Sequence, residues 1–260
     1  MDIRIEKPTD TLTRLSMILW GDSGCGKTTL AATAPGNKLF IMLDPDGDMS
    51  IRNLPDWQRM YLANETSTDI TKEAIKPDPF GLYSKLNDID TVIIDSLTKF
   101  SEHALKYAVV VNMMKKSTLE NPGLAGYGTR NIYVGAFVSN MIRITGMLNK
   151  HIIFITHEKM PETNDDGAVT GVNMMLGGQL PNVTSKDISE VWNMRDHAGK
   201  RYIAIRPERF RSPMKSRMFD MSGSTSFEWK YNANTDVGDT VDGWWNNYVS
   251  SGYKKLPIPK

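Results

Sequence analysis

The segment Gly21-Asp22-Ser23-Gly24-Cys25-Gly26-Lys27-Thr28 constrains this chain more than any other. Gly21, Gly24 and Gly26 let the backbone curl until successive N–H groups converge, and a lysine followed by a threonine closes the curl. An apolar run from Leu15 to Trp20 precedes it, and a helical pattern from Lys27 to Ala34, stopped by Pro35-Gly36, follows it. A chance glycine turn can carry the same eight letters but has no reason to carry the same flanks. Strand, glycine-rich loop and helix together make a phosphate cradle formed by Gly21, Asp22, Ser23, Gly24, Cys25, Gly26, Lys27, Thr28 and Thr29. In such a cradle the lysine reaches the β- and γ-phosphates and the threonine hydroxyl faces Mg²⁺. The cofactors expected are ATP, or a close relative, and Mg²⁺.

The rest of the chain fits an α/β architecture. Leu39 to Leu43 is a buried-strand candidate that empties into the acidic turn Asp44-Pro45-Asp46-Gly47-Asp48. Thr91 to Ile94 is another, ending at Asp95-Ser96 and followed by a helical pattern from Leu97 to about Met114. A further helix from about Ile132 to Leu148 leads into the strand His151 to Thr156. This alternation predicts a mainly parallel, doubly wound sheet whose ligand lies at the strands' carboxyl ends. Asp95 then stands where a carboxylate can hold Mg²⁺ directly or through water, with Ser96 free to cap the next helix. Asp46 is the candidate for orienting an attacking water, against the plainer reading of a solvated turn. His157 ends its strand either as a γ-phosphate sensor or as an ordinary polar residue. Cys25 lies in the phosphate loop near a helix start, an environment that favours a thiolate, against the alternative of an inert buried residue.

Two stretches, Lys115 to Arg130 and Pro161 to Pro181, read as long irregular segments of the kind that is usually functional. Glu190 to Arg195 and Arg201 to Arg206 flank a short loop and predict a β-hairpin. We expect a core over residues 1–240 and a tail over 241–260, the aromatic residues of the tail packing on the core rather than on bases. The formal charge of +1, from 31 basic and 30 acidic residues, gives no global argument for nucleic acid. The one local basic concentration runs from Lys200 to Arg217. It suits a nucleic-acid patch, a source of arginine fingers or a solvated hairpin face. A single cysteine, a mixed-charge start and the absence of a long apolar run predict an intracellular protein without membrane attachment.

The run from Leu15 to Thr156 resembles a RecA-type ATPase core. Its details resemble the small phage ATPases known as single-strand annealing proteins of the Sak type. The likeness rests on Gly21 to Thr28, on Leu43-Asp44-Pro45-Asp46, on Asp95-Ser96, Tyr127-Gly128 and Ile155-Thr156-His157-Glu158, and on Lys215-Ser216-Arg217 late in the chain. The resemblance implies that Lys27 and Thr28 serve phosphate and metal, Asp95 the metal, and His157 the sensor. It raises Asp46 above its neighbours, although the family usually has glutamate there. It makes Lys215 and Arg217 a Lys-x-Arg element inserted into the next subunit's site, and it puts the two irregular stretches where such proteins keep DNA-contacting loops. A RecA-like P-loop NTPase fold with a C-terminal β-hairpin extension follows. So does a homo-oligomer, ring or filament, that hydrolyses ATP and acts on single-stranded DNA in phage recombination or replication, in the cytoplasm of a bacterial host. The tail could then engage a single-strand-binding or replication partner. The rivals are a ring helicase or helicase loader, a nucleotide-gated DNA-binding module with little hydrolysis, and a small-molecule kinase, for which the chain lacks a convincing arginine-bearing lid.

Overall fold

The computed structural model describes residues 14–45, 47–220 and 222–259. Asp46 lies outside the described residues. The first strand, β1 (Ser16–Gly21), is buried along its whole length and enters α1 (Lys27–Ala32) through the glycine loop. There follow β2 (Lys38–Met42), β3 (Trp57–Tyr61), α2 (Ser67–Ala74), a 3₁₀ segment over Pro79–Ser84, β4 (Thr91–Asp95) and α3 (Leu97–Val111). Next come α4 (Gly123–Met147), β5 (His151–His157), a small hairpin of β6 (Glu162–Thr163) and β7 (Val169–Gly171), and α5 (Leu180–Lys186). The remainder is β8 (Glu190–His197), β9 (Lys200–Ala204), β10 (Ser226–Glu228), a ribbon of β11 (Tyr231–Asn232) and β12 (Val237–Gly238), and α6 (Val241–Ser250).

Eight strands form one sheet in the order β10-β9-β8-β1-β5-β4-β2-β3. The six from β8 to β3 are parallel, and β9 and β10 follow antiparallel. This is the mainly parallel α/β sheet of a RecA-like P-loop NTPase, with the expected hairpin continuing it through β8. The central strands carry unbroken buried apolar runs because both faces are covered. One face packs on α2, α3 and α4 through Phe100, Val134, Phe137 and Met141. The other packs on α1 and on an aromatic cluster of Trp192, Phe219, Phe227 and Trp244. Trp244 lies 5.7 Å from Trp192 and 5.6 Å from Phe219, ring centre to ring centre, so residues 241–250 seal the second core layer.

Several elements escape the sequence reading, β3 and the start of α4 among them. Strand β3 is an edge strand with mostly exposed side chains and so lacks an apolar signature. The stretch Lys115 to Arg130, expected to be irregular throughout, is helical from Gly123 onward. Its glycines suggested a loop, but Gly126 is a packing residue. A Cβ there would sit 2.9 Å from Pro122 Cβ and 3.8 Å from Val109 Cγ2, so glycine lets the start of α4 lie against α3. The second stretch is largely irregular as expected, interrupted by β6, β7 and the start of α5. Among the described residues no helix is long and apolar enough to cross a membrane.

His151, at the head of β5, ties three elements together. Its Nδ1 accepts a hydrogen bond from Leu15 N at 2.8 Å, and its ring meets Trp245 of α6 edge-on at 5.5 Å. Burial, opposed in part by Asp90 and Asp242, pushes its pKa down to about 4. The unfolded chain takes up this proton near pH 6.5 and the folded chain only near 4. The stability held by the neutral ring is therefore complete above about 6.5 and is lost as pH falls toward 4, on the order of 3 kcal/mol in all. Urea unfolding at pH 7 and pH 4.5 should show a decline that is about 2 kcal/mol smaller in His151→Gln than in the parent chain.

Candidate functional site

The carboxyl ends of β1, β4 and β5 converge because β5 lies between the other two. The loop after β1 must turn sharply, and its first glycine is sterically required: a Cβ on Gly21 would sit 2.0 Å from the Met194 carbonyl oxygen of neighbouring β8. Gly26 follows with φ 99°, a left-handed conformation suited to glycine. Between them the chain wraps around Lys27, whose Nζ donates to the carbonyls of Gly21 at 3.0 Å and Asp22 at 2.5 Å.

Thr28 Oγ1 donates to Asp95 Oδ2 at 2.8 Å, joining the start of α1 to the end of β4. Asp95 is only 8% exposed. Burial pushes its pKa up to about 6, against the hydrogen bond from Thr28, and the nearby Asp44 charge adds to the rise. Ser96 has both roles open to it: its hydroxyl donates to Asp44 Oδ2 at 2.8 Å and accepts from Lys99 N at 3.2 Å as the cap of α3. His157 faces the same cleft, its backbone N–H donating to Thr98 Oγ1 at 2.9 Å. Burial first, and the Lys27 charge second, lower the His157 pKa, so the ring is neutral near pH 7.

These side chains line a cleft of about 380 Å³ that also takes in Ser23, Gly24, Gly26, Thr29, Asp44 and Arg201. A second cavity of about 530 Å³ adjoins it on the other side of the loop, lined by Asp22, Ser23, Cys25, Glu158, Arg195 and Arg211 among others. The donor set suits a magnesium nucleotide. Curled backbone N–H groups and a lysine meet phosphates, and a hydroxyl paired with a buried carboxylate offers hard oxygen ligands. Thr28 and Asp95 would hold Mg²⁺, which when bound neutralises phosphate charge.

Three sequence expectations change here. The Cys25 thiol is 1% exposed and its pKa is raised, burial outweighing the nearby Lys27 charge. Burial thus favours the inert buried reading of Cys25 over the thiolate. In the acidic turn, Asp48 is 4% exposed and accepts from Arg59 Nη1 at 2.8 Å, a structural role. Asp44 is the described aspartate that faces the cleft. The basic concentration from Lys200 to Arg217 is dispersed. Lys200 pairs with Glu228 and Arg211 with Glu158, while Arg209 stacks on Phe210. Arg201 reaches the cleft, which no local motif announced.

Lys215 and Arg217 stand at the other end of β8. The Lys215 backbone pairs with Val191, and Arg217 N donates to the buried Glu190 carboxylate at 2.7 Å. Glu190 is in register with Met17, whereas Met194 is in register with Gly21. Four strand residues, roughly 13 Å at the usual rise, separate the pair from its own phosphate loop.

A glycine loop, a lysine, a hydroxyl–carboxylate pair and a polar strand end, all at the carboxyl edge of a parallel sheet, define a P-loop ATPase-type nucleotide site. A family model described as an AAA domain matches residues 13–218, and the chain belongs to that family. No curated protein matches the chain.

At pH 7 an ionised Asp95 costs the nucleotide-free protein on the order of 3 kcal/mol, since its folded pKa lies above the unfolded one and stability falls as pH rises from about 4 to 6. Asp95→Asn should therefore raise stability at pH 7 by about 1–3 kcal/mol, remove that pH dependence, and weaken the Mg²⁺ dependence of nucleotide binding. Paired thermal melts and Mg²⁺ titrations check this; a variant less stable than the parent with an unchanged Mg²⁺ curve would refute it.

Proposed function

We propose that the protein hydrolyses ATP and uses the state of that site to control its hold on single-stranded DNA, as a homo-oligomer in recombination or replication of the kind the Sak-type resemblance implies. The observation that carries this reading is the way the exposed loop after β5 is rooted in the nucleotide cleft. The carbonyl of His157 accepts from Met175 N at 2.8 Å, and Lys159 N donates to the Asn173 carbonyl at 2.8 Å. Both ends of the loop are thus clamped beside a side chain that faces the cleft. Val172, Met174 and Leu176 are buried anchors, whereas Met160 is 85% exposed. A shift of His157 on loss of a γ-phosphate would be transmitted to the loop through these bonds. Glu158 extends the coupling, accepting from Arg211 Nη1 at 2.5 Å and Asn193 Nδ2 at 3.3 Å.

The turnover step proposed is attack of water on the γ-phosphate. Lys27 neutralises phosphate charge, Asp46 orients the water, and Lys215 and Arg217 complete the site of the next subunit. The distance of that pair from its own loop supports the arrangement in trans. ATP turnover measured with and without single-stranded DNA tests the function: stimulation by DNA is expected, and DNA-independent turnover together with no nucleotide-dependent DNA binding would reject it. Unwinding of a forked duplex would favour a helicase instead.

The subunit arrangement has its own test. Lys27→Ala and Arg217→Ala should each be nearly inactive, since arginine fingers contribute roughly 10³ to 10⁵ in rate. Mixing the two should restore activity at interfaces that join an intact loop to an intact finger. Full activity of Arg217→Ala alone, or no recovery in a mixture shown to co-assemble, would exclude the trans role.

A further inference from the structure

Strand β9 carries Arg201 back across the phosphate loop. Its register with Asp196 of β8 turns the side chain toward the loop, and a Cβ built on Gly26 would meet Arg201 Cζ and Nη1 at 3.1 Å and Cδ at 3.2 Å. The Arg201 side chain thus lies against the glycine that precedes Lys27, close to where any other residue would place its Cβ. Its position is held from behind, where the Trp229 ring lies 5.8 Å from Cζ and Trp229 N donates to the Arg201 carbonyl at 2.8 Å. Among the described residues no carboxylate pairs with it, in contrast to Arg195, held by Glu208, and Arg211, held by Glu158. A half-buried, unpaired guanidinium lining a cleft with Lys27, Thr28 and Thr29 is a cation awaiting an anion.

We infer that Arg201 is a nucleotide-binding residue of its own subunit, contacting the α- and β-phosphates that the Gly26 end of the loop cradles. The inference rests on the phosphate-loop reading of the cleft and adds a second cis cation to Lys27. The chemistry fits because a planar guanidinium offers paired donors to phosphate oxygens, and stacking on Trp229 pre-orients it so that little entropy is lost on binding. The γ-phosphate lies toward Lys27 and Asp95, so Arg201 should serve ADP and ATP alike.

The test is equilibrium binding of ADP and ATP to the full chain, for the parent, Arg201→Gln, Arg201→Lys and Lys27→Ala. Arg201→Gln should weaken both nucleotides about tenfold or more, the usual consequence of removing a charged hydrogen-bond donor. The ratio of ATP to ADP affinity should stay at the parent value. Arg201→Lys should recover part of the loss, and the salt dependence of binding should be shallower in Arg201→Gln than in the parent. Arg201→Met keeps the stem on Trp229 and substitutes for the glutamine variant if that one folds poorly. Parent-like affinity in the neutral variants, or equal losses in Arg201→Gln and Arg201→Lys, would overturn the assignment. If Lys27→Ala abolishes binding while Arg201→Gln does not, the phosphate-loop reading survives and only Arg201 is removed from it. No nucleotide binding by the parent chain would overturn both.

Discussion

A buried carboxylate at the end of a central strand is the constraint around which this molecule is arranged. Asp95 is almost fully removed from water, and among the described residues the donor to its carboxylate is the Thr28 hydroxyl. Such a group costs several kcal/mol unless a positive charge reaches it. Asp44 worsens the repulsion and Lys27 relieves part of it. The strands on either side offer little help, since Met42 of β2, in register with Asp95, and Phe154 of β5, in register with Ile94, are buried and apolar. The sheet therefore holds open a demand for a cation at the place where the glycine loop offers donors to an anion. A metal bound to polyphosphate answers both at once, which is why the site and the fold cannot be argued separately.

Most of this core could be read from the chain alone because its signals are local. Buried parallel strands advertise themselves as runs such as Met17 to Trp20 or Val92 to Ile94, and the glycine loop carries its own geometry. Edge strand β3 has no such run, since Gln58, Arg59 and Tyr61 are exposed and Trp57 and Met60 only partly buried. The start of α4 was obscured because glycine is ambiguous: the absence of a side chain at Gly126 serves close helix packing, but in sequence it looks like a break. Helix α2 had a readable cap, Thr66 accepting from Asp69 N, yet its apolar face is too short to stand out.

The site divides in the same way. Lys27 and Thr28 open the helix after the glycine loop, and Asp95 and His157 end strands whose limits are predictable, so their convergence was legible. Arg201 was not, because β9 reaches the loop only through pairing of β8 with β1, a contact between segments about 170 residues apart that no local pattern encodes. The choice between the two readings of Cys25 was hidden for a related reason. Position beside a helix start suggested a stabilised thiolate, but the burial that reverses it comes from tertiary packing of Leu19, Leu30 and Met194 in the same cluster.

The cations of the late hairpin region then acquire different jobs from their places on one short piece of sheet. Arg201, toward the carboxyl end of β8's pairing with β9, overlies its own phosphate loop. Lys215 and Arg217 flank the amino end of β8, where Glu190 fixes their backbone: its Oε1 accepts from Arg217 N and Met218 N, and its Oε2 accepts from Trp192 Nε1. The Arg217 side chain is exposed, and among the described residues no carboxylate pairs with it. Reaching the cleft of the same chain would require breaking the Val191–Lys215 bridge and the Glu190 network together. Strand β9 thus brings one cation over the loop, while Lys215 and Arg217 stay at the amino end of β8, where Lys215 Nζ donates to the Lys186 carbonyl at 3.2 Å. In the proposed assembly, this separation allows nucleotide affinity to be set within a subunit while turnover waits on its neighbour.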